Sequence, residues 1–208
     1  MPRYRQALPQ LAGGFFLTDG GLETTLIFHE RLELPDFAAF HLLSTPEGTA
    51  TLRRYFRTYA ELAQRFDAGL ILDSATWRAS ADWGRRLGYT SASLAAANRA
   101  AVGLLEEIRG EFGTERTPVV ISGCVGPRGD GYVPDRAMTD EEAAAYHREQ
   151  IETLAGSAAS PMSRSGESLS SAWLMREAFA RSPRIRSTHG APADRTGSKC
   201  VGWAQLTM

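Results

Sequence analysis

Short apolar runs recur along the first three-quarters of the chain, and each ends in a polar, glycine-bearing turn. Gly13-Gly14-Phe15-Phe16-Leu17 leads into Asp19-Gly20-Gly21. Gly69-Leu70-Ile71-Leu72 leads into Asp73-Ser74-Ala75-Thr76, and Pro118-Val119-Val120-Ile121-Ser122 into a Gly-rich stretch. Runs of this length without alternation read as buried strands. Between them apolar residues return at helical spacing. Thr45 before Pro46 is a helix start, with Thr45 as N-cap and proline at the first helical position. Leu52, Tyr55, Phe56, Tyr59, Leu62 and Phe66 follow as its inner stripe. A second long helix opens at Thr90 or Ser91 and carries Leu94, Ala101, Leu104, Leu105, Ile108 and Phe112 on one face. Thr139-Asp140-Glu141-Glu142 is a capping box, and Ala143, Tyr146, Ile151 and Leu154 supply the inner face of the helix it opens.

The order is strand, helix, strand, helix, strand, helix. Apolar strands separated by helices predict an α/β fold with a helix-covered parallel sheet. In such folds ligands sit at the carboxyl ends of the strands, where all three polar turns fall here. A tight turn alone accounts for any one Gly-Gly pair; three such turns on one edge point to a site. No Gly-x-Gly-x-x-Gly follows a strand and no P-loop is present, which disfavours a nucleotide site. His29, His41, His147 and His189 show no metal spacing, and His147 reads as an ordinary helix residue.

Composition adds an asymmetry. Residues 1–155 hold 16 arginines against 21 acids, whereas residues 156–208 hold 6 arginines and Lys199 against 3 acids. A basic tail can contact an anionic surface or nucleic acid. The sparer reading is a segment never selected as a surface, and no nucleic-acid partner is expected. No apolar run is long enough to cross a membrane, and the first residues lack a signal peptide's apolar stretch, so the expected location is cytoplasmic. Cys124 and Cys200 are the only cysteines, too few for a disulfide framework or a Cys₃ metal site.

At Asp19-Gly20-Gly21-Leu22-Glu23-Thr24 the chain resembles the homocysteine S-methyltransferase family. The likeness continues at Asp67-Ala68-Gly69, Thr76-Trp77-Arg78-Ala79-Ser80, Gly123-Cys124-Val125-Gly126-Pro127-Arg128-Gly129-Asp130-Gly131-Tyr132 and Tyr146-His147-x-x-Gln150-Ile151, and covers about residues 12–155. The resemblance implies the first three βα units of a (β/α)₈ TIM barrel, with Phe15, Leu17, Ile71 and Val120 facing its interior. It implies methyl transfer from a small donor to the thiol of homocysteine, in methionine biosynthesis, on a zinc ion held by cysteine thiolates. Homocysteine and the donor are the implied partners; S-methylmethionine, betaine and a folate all serve in relatives. Asp19 would meet the substrate ammonium, with Gly20 and Gly21 allowing close backbone approach. Thr76 and Gly126 would line the same mouth. A carboxylate between a strand end and two glycines suits that contact on its own chemistry. No zinc ligand and no catalytic residue is assigned: Cys124 and Cys200 match none of the family's metal-binding cysteines.

After Gly156 the helix and strand periodicity stops, dividing the chain into residues 1–156 and an irregular tail, 157–208. Ten serines and six arginines fall in the last 53 residues. Only Ser171–Phe179 has helical pattern, and a helix that short is marginal alone. Two readings stay open: an out-of-frame or disordered tail, which composition favours, and a genuine segment capping the open sheet. On the first, the chain is a truncated, inactive member of the family. The alternative function is a non-catalytic fragment or small binding module with a basic tail. Three units alone would leave both sheet edges unpaired.

Overall fold

The computed structural model describes residues 4, 7–129, 138–157 and 204–207. The tail expectations for residues 158–203, including the short helix at 171–179, lie outside the described residues.

Three parallel strands form the centre: β1 (Phe16–Thr18), β2 (Gly69–Asp73) and β3 (Val119–Val125). Phe16 pairs with Gly69, Leu70 with Val119, and Asp73 with Ser122. β4 (Ala204–Thr207) runs antiparallel along β3, with Ser122 opposite Thr207. The edge of β3, expected to be open, is therefore covered by a strand from the tail. The order is β1-β2-β3-β4, which leaves β1 at the edge.

The helices are α1 (Leu22–Thr24), extended by a π-turn over Thr25–His29, then α2 (Pro46–Arg65), α3 (Ala81–Arg86), α4 (Ser91–Phe112) and α5 (Asp140–Ser157). Their starts follow the sequence signals. Thr45 Oγ1 accepts from Gly48 N at 3.1 Å. Of the two candidate caps for α4 it is Thr90 that acts, exchanging bonds with Ser93 at 3.2 and 2.9 Å. Thr139 and Glu142 close the capping box of α5 at 2.9 and 3.2 Å.

Leu70 and Leu72 of β2 and Val119 and Ile121 of β3 share one core with Leu52 and Phe56 of α2, Leu105 and Ile108 of α4, and Ile151 and Leu154 of α5. All three long helices therefore pack on one face of the sheet. Burying each large apolar side chain there contributes about 1.5–3 kcal/mol. The stripe of α2 turns through Ala60 and Ala63, both fully buried, while Leu62 and Phe66 are exposed. Position 62 lies off the 52-55-56-59 face by about one residue's rotation, or 100°.

The expected interior set also needs correction. Strand residues alternate faces, so Leu17, paired with Leu70, belongs to the helix side. Phe15 precedes β1 and is 72 % exposed. The β1 residues that share a face with Ile71 and Val120 are Phe16 and Thr18, and the ring of Phe16 lies over Gly69. A Cβ on Gly69 would come within 2.3 Å of that ring, so the close approach requires glycine.

Candidate functional site

The carboxyl ends of β1, β2 and β3 open side by side. β3 runs three residues past its expected end, so Cys124 lies within the strand, and alternation places it on the face of Val120 and Ser122.

Asp19 follows β1 directly. Its Oδ1 accepts the backbone N–H of Asp73 at 2.8 Å, tying the ends of β1 and β2. Burial pushes its carboxyl up to about 7; the Asp73 N–H works against that and the Asp73 charge adds to it. Gly20 presents its carbonyl to two phenols, Tyr55 Oη at 2.8 Å and Tyr59 Oη at 3.1 Å. Gly21 has φ +65° at the start of α1, a left-handed conformation that suits glycine. The turn is thus fixed from below by α2 and by its own backbone.

Thr76 is fully buried. Its hydroxyl donates to the Cys124 carbonyl at 2.7 Å and lies 2.6 Å from Ser74 Oγ. Ser74 Oγ accepts Cys124 N at 3.0 Å. This ladder ties the turn after β2 to β3. From α5, Gln150 Nε2 donates to the Thr76 carbonyl at 2.9 Å. Gly126 is buried beneath Trp77, where a Cβ would come within 2.1 Å of the Trp77 carbonyl. Thr76 and Gly126 therefore sit in the wall behind the mouth, fixing its turns.

Three groups of the site carried no role in the sequence reading. Glu23, on α1, has its carboxyl pushed up by burial, against the pull of the Arg78 charge. Asp73 ends β2. Cys124 has its thiol pushed far above the ordinary range, by burial first and then by the charges of Asp73, Glu23 and Asp19. Tyr55 and Tyr59 had been assigned only to the core stripe, yet their spacing of four places both hydroxyls on one helix face, a legible signal. His147 is buried against the Tyr146 ring at 4.8 Å, and burial lowers its pKa.

The mouth is thus acidic, with three carboxyl groups acting on one protonated thiol. It suits a cation such as a protonated amine. It does not make Cys124 a nucleophile, since the thiolate is the reactive form. Nor does it fit a zinc–thiolate centre. Among the described residues no three His, Cys, Asp or Glu side chains are grouped to hold a metal.

An α/β parallel sheet with its polar turns at the strand ends defines the class. The sequence model described as homocysteine S-methyltransferase matches residues 16–162, and the chain belongs to that family. Two solved structures of the Escherichia coli homocysteine methyltransferase MmuM share the fold. The metallated form is 20 % identical, with a TM-score of 0.53 over 70 % of this chain and 51 % of that one. The oxidised form is 21 % identical, with a TM-score of 0.56 over 73 % and 52 %. The chain spans about half the length of these structures. No curated protein matches it. Among the described residues no helix is long and apolar enough to cross a membrane.

Proposed function

We propose that the strand-end mouth binds the amino-acid end of homocysteine, within the N-terminal three βα units of a (β/α)₈ methyltransferase barrel. Asp19 carries the reading. It stands at the end of β1, is held by the Asp73 N–H at 2.8 Å, and is followed by the Gly20-Gly21 turn. Ionised, it meets the substrate ammonium in a charge-assisted hydrogen bond. Gly20 and Gly21 leave the approach open: a Cβ on Gly20 would meet nothing within 4 Å. Thr76 and Gly126 keep the neighbouring turns in place.

The resemblance implies that a zinc ion held by cysteine thiolates would supply activation of the homocysteine thiol toward a small methyl donor, in a cytoplasmic protein. The described residues supply the holding part of that work, and among them no group of His, Cys, Asp or Glu is placed to hold a metal for the activation. A thiol with a pKa of about 8.5 is mostly protonated at neutral pH, and no described group lowers it.

The experiment is direct. Homocysteine is titrated calorimetrically into the chain and into its Asp19→Ala variant. Both are then assayed with zinc, homocysteine and, in turn, S-methylmethionine, betaine and a methyl folate. The expected result is binding that depends on Asp19, with no methyl transfer above background. Asp19-independent binding would remove the assignment of the mouth; turnover with any donor would show that these residues suffice for activation.

A further inference from the structure

Arg78 is the one arginine of the described residues that is almost wholly buried, at 6 % exposure. Its guanidinium lies 4.1 Å from the centre of the Trp77 ring and 3.8 Å from that of Trp83. One of its terminal nitrogens, Nη1, donates to the Gly129 carbonyl at 2.9 Å. The surroundings brace this stack. Arg86 covers Trp83 at 4.9 Å and bonds Asp36 at 2.9 Å. Arg128 bonds Asp82 at 3.0 Å and covers Tyr146 at 5.1 Å. Trp77 itself is seated on Gly126. Arg78 also acts on Glu23, beyond the Gly20-Gly21 turn. One side chain thus ties the segment after β2 to the segment after β3, while its charge acts on α1.

We propose that Arg78 is a positioning residue of the mouth, clamping the turn after β2 to the turn after β3 so that the carboxylates keep the spacing a cationic amino group requires. The inference rests on the reading of the mouth as an amino-acid site. Arginine suits the task because its flat, permanently charged group stacks on rings and still donates in plane; lysine matches the charge and lacks the plane.

The test is calorimetric titration of homocysteine into the full chain carrying Arg78→Lys, Arg78→Met, Glu23→Gln, or Arg78→Met with Glu23→Gln. Arg78→Lys is expected to keep a cooperative melt and to weaken binding about tenfold. Undiminished affinity would overturn the clamp, and this variant decides alone if Arg78→Met does not fold. Arg78→Met is expected to cost about tenfold more affinity in the parent than in the Glu23→Gln background. Equal costs would mean that Arg78 supports only the fold, and would also overturn the proposal. Asp19→Asn reports separately on the mouth. If it binds like the parent, the amino-acid reading fails, and Arg78 is judged on urea midpoints of the same cycle, where strict additivity overturns it.

Discussion

The backbone N–H of Asp73 donates to the carboxylate of Asp19 at 2.8 Å, joining the ends of two neighbouring strands through a group that titrates near neutrality. Burial raises the Asp19 carboxyl from 3.8 to about 7, so the folded chain binds this proton more tightly than the unfolded chain. The linked stability is complete below about pH 4 and is lost as pH rises through about 7. Asn at this position keeps an oxygen for the Asp73 N–H and cannot ionise. Asp19→Asn should therefore match the parent in urea midpoint at pH 4 and exceed it at pH 8, by about 2 kcal/mol once solvent screening is allowed for.

Ligand binding should follow the opposite slope. An ammonium needs Asp19 ionised, and Asp73 and Tyr55 are the neighbouring groups that act on its carboxyl. Homocysteine affinity measured by calorimetry should rise between about pH 6 and pH 8, by at most about tenfold per unit. A flat profile would remove Asp19 from the contact.

Gly126 tests the wall behind the mouth. A methyl group there would overlap the Trp77 carbonyl at 2.1 Å and its ring at 2.4 Å. Backbone on one side and a wedged indole on the other leave little room to yield. Gly126→Ala should cost about 2–3 kcal/mol in denaturant unfolding. Gly20→Ala, with nothing within 4 Å, should cost under about 1 kcal/mol.

Gln150 joins α5 to the same wall, donating to the Thr76 carbonyl and lying 3.3 Å from Asn98 Oδ1. Both side chains are buried. Gln150→Leu leaves those acceptors without their donor, and should lower stability by about 1–3 kcal/mol. Gln150→Glu should be worse above neutral pH, since it puts a charge where an amide donated.

How far the sequence could be read varies with the length of the signal. The caps of α2, α4 and α5 were legible because Thr45, Thr90 and Thr139 bond backbone only a few residues away. The parallel strands were legible because their apolar runs need cover on both faces. The interior of the sheet was misread at Leu17, because a three-residue strand carries too little alternation to show its phase; Phe16 is identified only by its pairing with Gly69. β4 was illegible, since its partner lies some eighty residues away and its own segment carries a weak pattern. At the site, Asp19 stood out through its flanking glycines. Arg78 did not, because its partners Trp83 and Gly129 come from other segments, and one motif does not tell which rings will enclose it.

Cys124 offers the last check. Burial and the surrounding carboxylates of Asp73, Glu23 and Asp19 hold its thiol well above the usual range. Alkylation proceeds through the thiolate, so iodoacetamide at pH 8 should label Cys124, followed by peptide mass spectrometry, at least about a hundredfold more slowly than a free thiol. Because burial is the larger cause, Glu23→Gln should speed labelling only a few-fold, whereas urea unfolding should restore it fully. Cys124→Ser should leave homocysteine affinity unchanged, since the thiol is neither a nucleophile nor a metal ligand in this arrangement. Fast labelling of the folded chain, or zinc-dependent protection of Cys124, would instead make this cysteine a reactive member of the mouth.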